Sequence, residues 1–344
     1  MTLSHREERI LESIHVPSEN DPNRPEFPPD NPRFPATPTV KIEVPGFSNV
    51  WMKSEAGNPT GTHKDRMAWE IVVTYRQFLL AKKRGLLKTQ LPQMSIISSG
   101  ASAMAIQTML NKYRLPKLKV LVDSEIDETV LHALRKLGSE VFITNLATKS
   151  FSWSEILNLT NNRGGFDITS GYGLDPKTRF YDWMCYEILN NSPDYVFVPF
   201  GTGNLFENIL NINKRIVSSS PENQDPRFQG DIERLRYCNF IGATTNNPKS
   251  KADKLYSPHL PFVHFGEQWL HFFKAAGYCG PQSNVFNVKE EFLDKAIDLA
   301  EKQNIEAEPS GVAGLAMMLQ IRDTLPRNKK YLIVNTGKTK PPAD

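Results

Sequence analysis

The sequence predicts an α/β protein with mostly parallel sheets, and three observations predict it. Short apolar runs of strand length recur along the chain, helical patterns lie between them, and several runs end in glycine- or hydroxyl-rich loops that lead into a helix. Strands that alternate with helices favour parallel sheets covered on both faces. In such sheets ligands collect beyond the carboxyl ends of the strands. A chain of 344 residues is long enough for two ordinary domains, or for one large domain carrying a lobe.

The strand candidates are Val50–Lys53, Met94–Ile97, Lys119–Val122, Glu140–Ile143, Tyr195–Pro199, Asn239–Ile241 and Tyr331–Val334. Helical patterns run over Lys64–Leu80, Ala103–Tyr113, Asp127–Leu137, Trp153–Asn161 and Tyr181–Leu189, with two more at Lys289–Lys302 and Val312–Arg322. Gly138 stands where a left-handed helix C-cap belongs. Ahead of these elements, residues 16–39 are dense in proline, which lacks an N–H donor and clashes with a preceding helical turn. They read as an extended N-terminal arm.

Composition narrows the function classes. The net charge is only +3 and neither sign forms a long block, so neither nucleic acid nor an anionic membrane is the expected partner. No run approaches the roughly 20 apolar residues of a membrane span, and the first residues lack the apolar core of a signal peptide. Cys185, Cys238 and Cys279 are far apart and form no CxxC pair, which argues against a disulfide framework or a zinc knuckle. A soluble cytoplasmic protein is expected.

Four loops after strands carry the chemical signal. Asn58-Pro59-Thr60-Gly61-Thr62-His63-Lys64-Asp65-Arg66 makes a turn and opens a helix, with Thr62 as the expected N-cap. Lys64 then falls in the first helical turn, where the positive dipole end disfavours an ammonium and helps the amine attack an aldehyde. Ser98-Ser99-Gly100-Ala101-Ser102 sits between a strand and a helix and offers donors for a carboxylate. Gly201-Thr202-Gly203-Asn204 follows the YVFVP strand. Its glycines let backbone N–H groups approach a phosphate, yet no GK[ST] follows this loop and it supplies no GxGxxG. Thr336 ends the last strand, where its hydroxyl can serve a ring nitrogen or a turn.

Taken in order, these loops resemble the fold-type II pyridoxal-phosphate enzymes, the tryptophan-synthase-β-like group that includes cysteine synthase, cystathionine β-synthase, threonine synthase and the serine/threonine dehydratases. The Lys64 segment resembles that family's NPTGSxKDR block, and Ser98–Ser102 its substrate-carboxylate loop. Gly201–Asn204 resembles its GTGGT phosphate cup, and Thr336 its hydroxyl against the pyridine nitrogen. Thr37-Pro38, Lys53-Ser54-Glu55 and Glu308-Pro309-Ser310-Gly311 are weaker echoes. The resemblance implies a two-lobed, three-layer αβα fold. Residues 1–39 are then an arm, 40–85 with 175–344 a large cofactor-binding domain, and 86–174 a small mobile domain whose closure excludes water. It also implies pyridoxal 5'-phosphate as cofactor, a Schiff base at Lys64, and Lys64 as base for the α-proton. Elimination or replacement at the β-carbon of a small amino acid follows, through an aminoacrylate and in the manner of cysteine synthase, with a homodimer as the default assembly. Threonine synthase or dehydratase activity is the alternative.

The departures from the pattern define a further alternative. Ala101 stands where the family normally has an asparagine, and Leu205 replaces the usual hydroxyl at the end of the cup, so a cofactor-binding protein with lost or altered catalysis is also implied. His63 reads as a group that caps or packs at the helix start, with proton carriage as the other role. His264, Glu267 and His271 have a spacing that suits zinc on one helical face. Their surroundings, FVHFGEQWLHFF, are dense in aromatics and contain Gly266, so packed histidines and no metal are expected, and the stretch suits a dimer surface.

Overall fold

Two sheets organise the chain, in a computed structural model that describes residues 3–13, 34–147, 150–169, 180–256 and 265–340. The strands are β1 (Thr39–Val44), β2 (Phe47–Ser54), β3 (Met94–Ile97), β4 (Lys119–Asp123) and β5 (Glu140–Thr144), then β6 (Phe166–Asp167), β7 (Tyr195–Pro199), β8 (Asn239–Thr244), β9 (Asn284–Asn287) and β10 (Tyr331–Asn335). The helices are α1 (His5–Ser13), α2 (Lys64–Lys83), α3 (Ala101–Lys112), α4 (Glu128–Lys136), α5 (Trp153–Leu159) and α6 (Asp182–Leu189). They continue with α7 (Asn204–Ser218), α8 (Ile232–Arg236), α9 (Phe265–Ala275), α10 (Glu290–Glu301) and α11 (Ala313–Gln320).

The larger unit comprises Pro35–His63 and Tyr181–Lys340. Its six-stranded sheet has the order β1-β2-β10-β7-β8-β9 and is parallel except for the β1–β2 hairpin. Every residue of β7 and β10 is buried. Tyr195, Phe197, Tyr331 and Ile333 pack in one core with Val312–Leu319, the helix α11 side. Val196, Val198, Leu332 and Val334 alternate with them, point to the other face and are equally buried. Both faces are therefore covered, which is why these strands read as unbroken apolar runs.

At the amino edge of the same sheet Asp194 joins three strands. Its N–H donates to Lys330 C=O at 2.9 Å, its C=O accepts from Asn239 N–H at 2.9 Å, and its carboxylate accepts from Lys330 N–H at 2.7 Å and Arg234 Nη2 at 2.5 Å. Burial pushes this carboxyl up, but the bonds from Arg234 and Lys330 and the charges of Arg234 and Lys329 prevail and hold it below the ordinary carboxylate value.

The second unit comprises Lys64–Phe180 and the described residues before Pro35, with an all-parallel four-stranded sheet of order β5-β4-β3-β6. Its helices start where side chains satisfy the first N–H groups. Asp127 accepts from Thr129 and Val130, and Ser152 with Glu155 forms a reciprocal capping box. Gly138, at φ 91°, follows α4 as the sequence predicts.

Some elements depart from the sequence reading. β1 alternates buried and exposed side chains beside the proline-rich stretch and was not separated from it. Helix α1 falls within the expected arm 1–39. It starts with its own capping box, because Ser4 N–H donates to Glu7 at 2.8 Å and Glu7 N–H to Ser4 Oγ at 3.3 Å. Residues 14–33 of that arm lie outside the described residues. Helix α2 groups with the four-stranded sheet, whereas the reading from resemblance put residues 40–85 in the larger unit.

A carboxyl lowered on folding stabilises the fold above its unfolded value, about 3.9 for aspartate. That contribution is lost as pH falls through the lowered folded value. Asp194→Asn is thus expected to reduce the urea midpoint at neutral pH, with the deficit shrinking between about pH 4 and pH 2. A deficit that stays constant across that range would rule the carboxylate charge out as its source.

Candidate active site

Strands β2, β10, β7 and β8 are parallel neighbours, so the loops that leave their carboxyl ends share one edge of the six-stranded sheet. Those loops are Glu55–His63, Thr336–Gly337, Gly201–Asn204 and the segment after Thr244.

The loop that leads to Lys64 is fixed from behind by buried charge. Lys53 Nζ lies 2.5 Å from Glu187 and 3.9 Å from Glu55, and donates to Thr37 C=O at 2.5 Å. Glu55 accepts from Thr37 Oγ1 at 2.5 Å and from Asn58 Nδ2 at 2.8 Å, and the same amide reaches Thr62 C=O at 3.0 Å. Thr37, Lys53 and Glu55, faint echoes in the sequence, meet in space as one network around Asn58.

From the front, the loop is held by β10. Thr62 bridges Gly337, and His63 N–H donates to Thr336 C=O at 3.0 Å. Gly337 and Gly61 have φ values of 101° and 82°. A Cβ on Gly337 would fall 2.0 Å from the Gly61 carbonyl oxygen, and one on Gly61 would fall 2.1 Å from that of Lys338. Only glycine fits at this crossing. Helix α2 begins at Lys64 itself, so His63 takes the cap position expected of Thr62, which pairs with Gly337 instead. The His63 ring packs on Tyr181 at 5.2 Å between centroids.

Thr336 is pinned by its backbone, with its N–H on Gly311 C=O at 3.1 Å and its C=O taken by His63. Its hydroxyl has no hydrogen-bond partner among the described residues. The next loop is a row of donors. Gly203 is left-handed at φ 86°, and α7 starts at Asn204. The backbone N–H groups of Gly201, Thr202, Gly203, Asn204 and Leu205 meet no acceptor among the described residues, and the first N–H of the helix to be paired is that of Glu207, on Gly203 C=O. Leu205 is buried.

In the second unit, Ser98–Ser102 leaves the carboxyl end of β3 and opens α3. Ser98 Oγ accepts from Gly100 N–H at 3.1 Å and Ala103 N–H at 3.3 Å, so this hydroxyl is engaged in shaping the loop itself. The N–H groups of Ser99, Ala101 and Ser102 meet no acceptor among the described residues. Of the suspected metal trio, His264 and the side chain of Glu267 lie outside the described residues, and His271 is exposed on α9.

A family described as "Pyridoxal-phosphate dependent enzyme" matches residues 33–337. The chain belongs to that family. It is a pyridoxal-phosphate dependent enzyme with parallel sheets, as the four loops led us to expect. Among curated proteins, cysteine synthase B of Escherichia coli (strain K12) is 32% identical over 111 residues, 31% of this chain, so the match spans 34% of that relative's length. Among solved structures, an O-ureido-L-serine synthase is similar with a TM-score of 0.61 at 17% identity, over 89% of this chain and 92% of that one. An O-acetylserine dependent cystathionine beta-synthase from Helicobacter pylori gives 0.61 at 16%, over 99% and 97%. A fungal L-serine ammonia-lyase from Rhizomucor miehei gives 0.57 at 16%, over 88% and 93%. At such identities the likeness is one of fold.

The donors on the sheet edge fit this cofactor. Five successive N–H groups at a helix start, with a left-handed glycine among them, suit a phosphate monoester. The Thr336 hydroxyl suits a ring nitrogen without adding charge.

Because the crossing admits no side chain, Gly337→Ala is expected to lower stability by about 2–4 kcal/mol. The shift in urea midpoint measures it, and a change within error would mean that the loop can move aside at little cost.

Proposed function

We propose that this enzyme performs β-elimination or β-replacement on a small amino acid, in the manner of cysteine synthase. The observation that supports it most is the shared sheet edge, which brings together the loop entering Lys64, the unbonded Thr336 hydroxyl and the Gly201–Leu205 donors. When bound, the cofactor supplies an aldehyde for a lysine amine and a ring that withdraws electrons from the substrate α-carbon.

Each residue then has a definite task. Lys64 is the amine that holds the cofactor, and its Nζ removes and returns the proton at the α-carbon. The N–H groups of Gly201, Thr202, Gly203 and Asn204 bind the phosphate, helped by the positive end of α7. Thr336 orients the ring through a neutral hydrogen bond, which moderates electron withdrawal and favours loss of a β-substituent over amino transfer. In the Ser98–Ser102 loop, Ser99, Ala101 and Ser102 offer N–H groups to the substrate carboxylate, while Ser98 and Gly100 set the loop's shape.

The cysteine-synthase-like choice draws on the matching stretch of cysteine synthase B and on the Lys64-Asp65-Arg66-Met67-Ala68 run. Ala101 favours a second reading, a protein that binds the cofactor with lost or altered catalysis, since a methyl cannot replace the usual amide. Threonine synthesis or serine/threonine dehydration is the alternative within the catalytic reading. A reducing cytoplasm suits three buried cysteines, and an exposed Phe272 on α9 suits a homodimer surface.

Absorption spectra of the purified protein, titrated with serine, O-acetylserine and homoserine phosphate, separate these readings. Catalysis is supported by a spectral response to any of the three, and the binding-only reading by a chromophore that responds to none. Lys64→Ala is expected to abolish the borohydride-fixable chromophore and to cut turnover about a thousandfold or more. A chromophore that survives this substitution sinks the assignment. Thr336→Val is expected to keep the chromophore and to cost roughly 5- to 10-fold in turnover, the worth of one neutral hydrogen bond.

A further inference from the structure

Residues 337–340 run back along the loop that ends at Lys64. Beyond the Thr62–Gly337 bridge, Lys338 N–H donates to Gly61 C=O at 2.9 Å and Lys340 N–H to Thr60 C=O at 3.0 Å. Lys340 Nζ adds a bond to Ala56 C=O at 3.1 Å. The segment thus clasps the loop along most of its length, and something must hold the segment in turn.

Lys254 is placed to do so. Its Nζ donates to Thr339 Oγ1 at 2.8 Å and to Glu308 Oε2 at 2.6 Å, and the same Glu308 oxygen accepts Thr339 N–H at 3.2 Å. The three residues close a ring around one carboxylate oxygen. Glu308 N–H also donates to Gly337 C=O at 3.3 Å, which anchors the ring to the end of β10. The Lys254 carbonyl, for its part, lies 3.2 Å from where a Cβ on Gly201 would stand, beside the row of N–H donors. One lysine therefore lies beside the Gly201 loop with its backbone and latches the clasp with its side chain.

We propose that Lys254 is a positioning residue: through Glu308 and Thr339 it holds segment 337–340 on the loop 56–62, and so fixes the stretch of chain that leads into Lys64. The proposal rests on Lys64 as the cofactor-holding residue only for its consequence, not for the latch itself. The pair is part exposed, with side-chain accessibilities of 41% for Lys254 and 19% for Glu308, so salt weakens the latch without unfolding the chain.

Lys254→Met keeps the aliphatic stem and removes the donor. Hydrogen–deuterium exchange on the cofactor-free protein is expected to speed up about 5- to 10-fold in peptides covering 56–63 and 336–340, from loss of a charged hydrogen-bond pair. Exchange elsewhere should hold, and Lys254→Arg should restore part of the protection. Lys251→Met, which breaks the exposed Lys251–Asp294 pair at 2.5 Å, serves as control and should leave both peptides unchanged. With pyridoxal phosphate bound, Lys254→Met should release it faster than the unaltered chain by a similar factor. Unchanged exchange in both peptides overturns the proposal. So does faster cofactor release with normal exchange, because Lys254 would then act on the cofactor directly. The exchange result decides on the latch even if the protein takes up no cofactor.

Discussion

Two backbones cross at the carboxyl edge of the six-stranded sheet, with a glycine on each side, and the local architecture follows from that contact. Because Gly61 and Gly337 approach to a distance no side chain tolerates, Thr62 can bridge Gly337 and His63 can reach the Thr336 carbonyl. The next residue after His63 is the first of α2, and that residue is Lys64. The residue before the helix, His63, is thereby tied to the end of the central strand. A loop that could drift by an ångström would carry the lysine with it, and catalytic geometry is sensitive at that scale.

Charge behind the loop serves the same end. Lys53, Glu55 and Glu187 are buried or nearly so, and taking ionic groups out of water costs about what their mutual attraction returns. Their value is better sought in geometry. Glu55 offers a fixed carboxylate to Asn58, whose amide holds the Thr62 carbonyl, and each link has only one acceptor position to satisfy. Charges thus pack against the loop, while the groups left without an internal partner on this edge, among the described residues, are the N–H groups of Gly201–Leu205 and the Thr336 hydroxyl. Preorganised dipoles of that kind need no rearrangement when charge develops.

The parts of this design that are local in sequence were legible there. Strands Met94–Ile97 and Tyr195–Pro199 were read to the residue, and the loops after β2, β3, β7 and β10 stood out because glycine and hydroxyl residues cluster between an apolar run and a helix. What the sequence hid is what distance in the chain hides. Lys254 and Thr339 are 85 residues apart, and nothing in KSKADKLY marks one lysine among three. Thr62 looked like a helix cap because its competitor, Gly337, could not be seen. Ser98 accepts N–H groups of Gly100 and Ala103 in its own loop, a shaping role that its residue type alone does not announce. Strand β1 was lost for another reason. It has one wet face and a proline-rich neighbour, so it lacks the unbroken apolar signature of the central strands.

The two departures from the family pattern are not equal once their surroundings are known. Leu205 is buried in the larger unit, and its backbone N–H meets no acceptor among the described residues, so on the proposed function it serves a phosphate as well as threonine's would. Losing a side-chain hydroxyl there subtracts one donor from a row that already has five along its backbone. Ala101 differs, because the asparagine usually found there acts through its side-chain amide, and no neighbouring N–H in Ser98–Ser102 reproduces that reach. Its own N–H meets no acceptor among the described residues, so on the proposed function it could still serve a carboxylate. On the proposed function, a retuning relative to the family is expected at Ala101 rather than at Leu205, and in the chemical step more than in binding.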